Sequence, residues 1–348
     1  MSQTKSRVLS YDILRILAAC SVVLLHCAAQ FWYTDPVTEW NWKVDNAYDA
    51  VSRIGVPLFV MISGALLLGA KEAPSAKKLF TGRILRMAII YVFWNAVYGL
   101  YSCSLWGFSS LSLKEAVKYM VNGSYHLWYL PMLCGLYALT PILHELVHKL
   151  EKKTLEYYFL LFLLFQILRT TAAALFVESA FWQTQFGQLE IPMICSYISY
   201  YLLGFYLAEY GLSERWLHRL VWGILPAALL NILGSCFLSL RLGNARAELF
   251  DSFSLGTAWL TIAIFCLVTQ HFSGRMTQSR LIAELSQDTF GVYLMHILVI
   301  HLVSHLGIHS QMIPNVLGIS LLALISFSVS LCAAALLRRL PRIGKYLC

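Results

Sequence analysis

Charge is what this sequence has least of. Of its 348 residues only 13% are Asp, Glu, Lys or Arg, about half the share usual in a soluble domain. Against that, 59% are hydrophobic and the mean hydropathy is +0.65. This balance excludes a soluble globular protein. No stretch between apolar runs exceeds about twenty residues, so no soluble domain, linker or low-complexity tail is expected. The nine cysteines are an odd number, lie mostly inside apolar runs and never take C-x-x-C spacing. That pattern excludes a disulfide framework and a zinc site, and no metal is expected. The net charge of +8 has no patch behind it. Its basic residues recur in short clusters between apolar runs, as a membrane topology requires, which excludes nucleic acid as a partner. A basic start before an apolar core resembles a signal peptide. Arg15 interrupts that core and no A-x-A site follows, so a retained first span is expected.

What is present is a series of membrane-length apolar runs. Ten are long enough to cross a ~30 Å hydrocarbon layer: 12–32, 50–69, 84–105, 127–147, 156–176, 192–210, 217–239, 252–271, 288–306 and 313–337. With the N-terminus inside, eighteen Lys and Arg residues fall in the inner segments and six in the outer ones, an inward bias of the expected sign. The sequence therefore predicts an all-α, polytopic integral membrane protein of about ten transmembrane helices. Both termini are expected to be cytoplasmic, with one transmembrane domain over residues 1–348 in the lipid bilayer of the cell membrane. After the first span come Trp32, Tyr33, Asp35, Glu39, Trp40, Trp42, Asp45 and Tyr48, which read as interface anchors or as surfaces that stack on a sugar.

Ionisable residues inside such spans are costly and count as functional candidates. Arg15 and His26 are eleven residues apart. At roughly 100° per residue that spacing comes within about 20° of three full turns, with a rise of ~16 Å. The two residues share a face, half a bilayer apart. Asp12 stands three residues before Arg15 and can pair with it. The plainer alternative has Arg15 snorkelling to the inner interface and His26 bonding a neighbouring helix. Arg83 and Arg86 share a face where the third span leaves the cytoplasm, with Lys77 and Lys78 close by. A helix start of that kind suits a phosphorylated ligand, although positive-inside placement also accounts for basic residues there. In Tyr125-His126-Leu127-Trp128-Tyr129-Leu130-Pro131, the residues His126, Trp128 and Tyr129 suit either an outward acceptor site or an aromatic belt. His296 lies near mid-membrane in the ninth span, with His301 and His305 beyond it.

In order along the chain, these residues resemble the acyltransferase type 3 family of integral-membrane acyltransferases. Asp12-x-x-Arg15 with R-x10-H ending at His26 matches its first-span signature. Val56-Pro57-Leu58-Phe59-Val60-Met61-Ile62-Ser63-Gly64 is similar to its second-span pattern. Arg83-x-x-Arg86 resembles its R-x-x-R motif, His126-Leu127-Trp128-Tyr129-Leu130 its fourth-span motif, and Phe290-Gly291-Val292-Tyr293-Leu294-Met295-His296 its late-span motif. The chain is most similar to stand-alone surface-polysaccharide O-acetyltransferases such as the one acting on enterobacterial common antigen, without a C-terminal SGNH-type domain. The resemblance implies transfer of an acyl group, usually acetyl, from cytoplasmic acyl-CoA to a hydroxyl of an outward-facing glycan or lipid-linked sugar. Acetyl-CoA is then a substrate, and no bound cofactor is implied. Arg83 and Arg86, with Lys77 and Lys78, would take the acyl-CoA phosphates. His26, with Arg15 and Asp12, would be the catalytic group, acting as general base. His126, Trp128, Tyr129 and His296 would face the acceptor. Any carboxylate orienting His26 would come from an outer segment: Asp35, Asp45 or Asp49. A transporter or exporter of polysaccharide or amino acid is the alternative; membrane-buried carboxylates for ion coupling would mark it.

Overall fold

The computed structural model describes residues 8–106, 112–122, 124–176, 188–189, 191–340, 344 and 347. Lys5, Arg7, Arg342 and Lys345, which enter the charge count, lie outside the described residues. The chain folds into helices α1 (Leu9–Ala28), α2 (Trp40–Ser52), α3 (Gly55–Leu68), α4 (Ala76–Lys78), α5 (Leu85–Trp106), α6 (Leu113–Asn122), α7 (Tyr129–Lys149), α8 (Lys152–Phe162) and α9 (Arg169–Phe176). There follow α10 (Ile191–Ile194), α11 (Tyr197–Tyr210), α12 (Glu214–Trp222), α13 (Ile224–Leu242), α14 (Leu255–His271), α15 (Arg280–His305) and α16 (Asn315–Arg338). Two π-helical turns, Leu79–Ile84 and Leu163–Leu168, fuse α4 to α5 and α8 to α9 into continuous rods.

Eight of these rods, among the described residues, are long and apolar enough to cross a membrane. Two further segments run alongside them from end to end. The fourteen residues of α11 rise only ~21 Å. At one end Tyr197 Oη donates to Ser252 Oγ at 3.0 Å, and at the other Gln270 Nε2 donates to the Leu212 carbonyl at 3.0 Å. Ser252 and Gln270 lie at opposite ends of the Glu248–His271 span, so the segment 197–212 traverses the same layer. Helix α15 has 26 residues and tracks α1: Ser286 bonds Asp12 at 2.7 Å, and Ser304 bonds Gln30 at 2.9 Å. The two helices therefore run in the same direction, as they must if seven crossings separate them. Among the described residues the fold is all-α and polytopic, eight membrane-length rods with two further helical segments alongside them.

Small residues set the closest contacts in the bundle. A Cβ on Gly64 would strike the Tyr201 carbonyl, and one on Gly204 would strike the Met61 carbonyl. Glycine lets the backbones of α3 and α11 approach this closely.

The stretch read as an outer loop is instead a packed helix. Trp32 and Trp42 are 0% exposed and stack at 5.9 Å, so they are core and not belt. Tyr33 and Trp40, at 74% and 72% exposed, keep the outward role. The difference comes from polar partners far along the chain. Trp32 Nε1 donates to Asn46 Oδ1 at 3.3 Å, and Asn46 Nδ2 donates to Ser235 Oγ at 2.9 Å. Helix α2 can thus bury Asp45, Asn46 and Asp49 because Asn315 of α16 meets Asp45, Ser235 of α13 meets Asn46, and Arg53 just past its own end pairs with Asp49.

Candidate active site

The site begins as a cavity of about 750 Å³ between α1, α3, α5, α7 and α15. Arg15, Arg86 and Arg338 line it together with Asp12 and Asp288, and Tyr129, Tyr137, Phe290 and Tyr293 supply its aromatic wall. Asp12 is 1% exposed and fully engaged. It accepts from Arg15 Nη1 at 3.0 Å, from Thr277 Oγ1 at 2.7 Å and from Ser286 Oγ at 2.7 Å. Fourteen residues of α1 separate it from His26, a rise of ~21 Å. In this arrangement Asp12 clamps α1 to α15 and fixes the Arg15 guanidinium over the cavity.

The basic cluster expected to take a phosphorylated ligand is divided. Arg86 lines the cavity. Arg83 is exposed and lies with its guanidinium carbon 5.9 Å from the Tyr137 ring centroid, at the cavity's edge. Shared facing at i, i+3 presumes α geometry, and the π turn Leu79–Ile84 widens the helix through Arg83, turning the two arginines apart. Lys77 and Lys78 on α4 are exposed and outside the cavity wall.

At the far end of the cavity three histidines converge from three helical segments. The His26 and His296 rings stand 5.0 Å apart, His126 and His296 5.1 Å, and His26 and His126 6.3 Å, centroid to centroid. His296 and His126 are buried, and His26 is half-buried. His296 Nδ1 lies 2.7 Å from the Tyr293 carbonyl. A carbonyl only accepts, so Nδ1 carries the proton and the lone pair is on Nε2. His126 Nδ1 pairs with Ser124 Oγ at 2.8 Å. The Nε2 atoms of both rings are buried without a hydrogen-bond partner. His26 Nδ1 meets Tyr125 Oη at 3.2 Å, and Tyr125 is 66% exposed, so the cluster reaches the surface there.

Among the described residues no carboxylate bonds His26. Asp35 accepts from Gln311, Asp45 from Asn315 at 2.9 Å, and Asp49 from Arg53 at 2.7 Å. The hydroxyl of Tyr125 occupies the place proposed for a carboxylate. Buried carboxylates do exist, at Asp12, Asp45, Asp49 and Asp288. Arginines neutralise three of them; Asp45 accepts from Asn315 through Oδ1, and its buried Oδ2 has no partner among the described residues.

Among the residues assigned to an acceptor, His126 and His296 belong to the cluster, and Trp128 pairs with Tyr197 at 5.5 Å beside it. Tyr129 does not belong with them. It lines the cavity and packs on Tyr293 at 5.4 Å and Phe59 at 6.2 Å. Tyr129 and Tyr293 together form the ceiling of the cavity, and Tyr293 is also the floor of the histidine cluster. Its hydroxyl donates to the His126 carbonyl at 2.5 Å, and its ring lies 5.6 Å from His126 and 6.1 Å from His296. His301 and His305 pack apart from the cluster, against Tyr101.

Four residues of this arrangement were not singled out from sequence: Tyr125, Tyr293, Asp288 and Arg338. The i, i+3 spacing of Tyr293 and His296 was a usable signal for one. Arg338 meets Asp288 across fifty residues, and nothing local marks it.

The arrangement sets an arginine-lined cavity beside a group of three imidazoles. The family model for an acyltransferase domain matches residues 8–338, which include every residue of both sites. No curated protein and no solved structure matches the chain. A multi-pass helical bundle matched over nearly its whole length leaves one classification: the chain belongs to the acyltransferase type 3 family and is a membrane acyltransferase.

Proposed function

We propose that this protein is an O-acetyltransferase of the cell membrane that draws its acyl group from cytoplasmic acetyl-CoA and delivers it to a hydroxyl of an extracytoplasmic glycan or lipid-linked sugar. One observation carries the reading. Tyr293 is at once the ceiling of the arginine-lined cavity and the floor of the histidine cluster. An anionic donor held below can then reach chemistry above by crossing the thickness of a single side chain.

The cavity suits the donor. Guanidinium groups match phosphate oxygens in charge and geometry, and about 750 Å³ is ample for a slender arm. This chemistry requires the His26 tautomer in which Nδ1–H donates to Tyr125 Oη, 3.2 Å away, which leaves the lone pair on Nε2. As the acceptor oxygen attacks the thioester carbonyl, Nε2 takes the hydroxyl proton and the C–O bond forms. The tetrahedral adduct collapses, the C–S bond breaks, and the imidazolium returns its proton to the leaving thiolate. The products are the ester and CoA thiol. Trp128 and Tyr197 offer aromatic faces beside this point for a sugar ring.

The test uses membranes containing the protein, labelled acetyl-CoA and whole envelope fractions as acceptor. Wild type is expected to transfer label to a glycan or glycolipid fraction, and His26→Ala to lose 10²- to 10⁴-fold of that rate, as loss of a general base does. Absence of transfer to every envelope fraction refutes the reading; full transfer by His26→Ala refutes the assigned base.

A further inference from the structure

The charge of the cavity is not accounted for by the arginines of the first and third spans alone. Arg338, the last residue of α16, lines it too. Its Nη2 donates to Asp288 Oδ2 at 3.1 Å and its Nε lies 2.8 Å from Asp288 Oδ1. Asp288 is 6% exposed while Arg338 is 35% exposed, so the carboxylate is the buried anchor and the guanidinium the presented group. A guanidinium carries five N–H donors in a fixed fork. Asp288 occupies one edge, and the Nη1 side has no partner among the described residues. Three arginines against two aspartates leave the cavity with one excess positive charge.

The depth of this pair identifies which part of a donor it meets. Asp288 stands two residues beyond Ser286, which bonds Asp12, and Arg15 stands three residues beyond Asp12 and bonds it. Arg15 and Asp288, which holds Arg338, thus stand at the same depth to within a helical turn, and both arginines line the one cavity. From that layer to the histidines α15 rises ~12 Å, eight residues from Asp288 to His296, and α1 rises ~16 Å from Arg15 to His26. In coenzyme A roughly thirteen bonds of an amide-rich chain connect the sulfur to the nearer phosphorus. At the reach of an extended polypeptide, about 3.3–3.6 Å per three bonds, that arm spans about 15 Å. A thioester at the histidines therefore brings the pyrophosphate to the layer of Arg15 and Arg338.

We infer that Arg338, held by Asp288, binds the pyrophosphate of the donor opposite Arg15. The inference rests on the acyl-CoA reading above and assigns a binding residue on the last helix that completes that site. Arg86, which lines the same cavity from the third rod, is left to the remaining phosphate.

The experiment measures Kd for CoA and for 3′-dephospho-CoA, which keeps the pyrophosphate, on the purified full-length protein in detergent. Wild type, Arg338→Ala and Arg338→Lys are compared, with binding stoichiometry reporting the folded fraction. Arg338→Ala is expected to weaken both ligands by the same factor, about 10- to 100-fold, the effect of losing a charge-assisted hydrogen bond to a charged group. Arg338→Lys is expected to recover only part of it, since an ammonium lacks the fork. Equal Kd values in wild type and Arg338→Ala overturn the inference. So does a loss seen with CoA but not with dephospho-CoA, which would move Arg338 to the 3′-phosphate. If wild type binds neither ligand, the acyl-CoA reading itself fails, a result distinct from both.

Discussion

The hydroxyl of Tyr125 offers a way to test the chemistry one atom at a time. Tyr125→Phe removes the 3.2 Å contact with His26 Nδ1 and keeps the edge-on ring contact at 5.5 Å. The distance is at the long end of a normal hydrogen bond, which puts its net worth at the low side of the usual range, about 0.5–1 kcal/mol. If the bond acts by holding the ring and its tautomer, the acyl-transfer rate at saturating donor falls roughly 2- to 5-fold. His26→Ala falls 10²- to 10⁴-fold. The decisive measurement is the double variant. With no imidazole left to orient, adding Tyr125→Phe to His26→Ala has no further effect, so the coupling between the two changes equals nearly the whole Tyr125 effect. Initial rates of label transfer to envelope glycan, normalised to protein in the membrane, provide all four corners. Two results refute the reasoning. If the effects multiply, the hydroxyl serves something other than His26. If Tyr125→Phe alone matches His26→Ala, the tyrosine takes part in proton transfer itself.

Two further outcomes follow from the packing. Asp12→Asn keeps the shape of the clamp but loses the charge that holds Arg15, Thr277 and Ser286, so thermal unfolding in detergent is expected to show a loss of about 1.5–3 kcal/mol; a rate loss as deep as that of His26→Ala with unchanged melting would return Asp12 to the chemistry. Gly64→Ala drives a methyl into the Tyr201 carbonyl and is expected to lower stability by about 1–3 kcal/mol, whereas Gly135→Ala in α7, with nothing near its Cβ position, is neutral or stabilising by up to ~1 kcal/mol; equal melting temperatures for the two would remove the close α3–α11 approach as a determinant of the fold.

The helical passes were legible because each is long and apolar, and that signal is local. What escaped the sequence is long-range or depends on exact turn geometry. Helix α2 carries Asp45, Asn46 and Asp49 among tryptophans, a pattern that reads as an outer loop until Ser235, Arg53 and Asn315 supply partners. Arg83 and Arg86 share a face only on a regular helix, and a π turn intervenes. The face shared by Arg15 and His26 was legible from spacing. That His126 and His296 complete the same cluster was not, since those residues lie 100 and 270 positions from His26. A carboxylate partner for His26 is expected from imidazole chemistry alone; the fold supplies a tyrosine from beside His126 instead.

The ceiling of the cavity sets a requirement that a transferase must meet. A thioester activated beside three imidazoles will acylate water as readily as a sugar unless water is kept away. Tyr293, packed on Tyr129 at 5.4 Å, both lines the cavity and touches the histidine cluster. Tyr293→Ala removes a whole phenol ring, several times the ~30 Å³ that one water occupies in the liquid, and joins the two compartments. The expected result is uncoupling: thiol released from acyl-CoA without acceptor rises relative to label transferred, several-fold or more. Tyr293→Phe keeps the ring and loses only the bond to the His126 carbonyl, so its ratio stays near wild type even where its rate drops. Free-thiol release with and without envelope acceptor measures both. If Tyr293→Ala still transfers acyl groups with the wild-type ratio of hydrolysis to transfer, the aromatic ceiling is not the water barrier. The separation of donor from acceptor must then lie in the histidine layer itself.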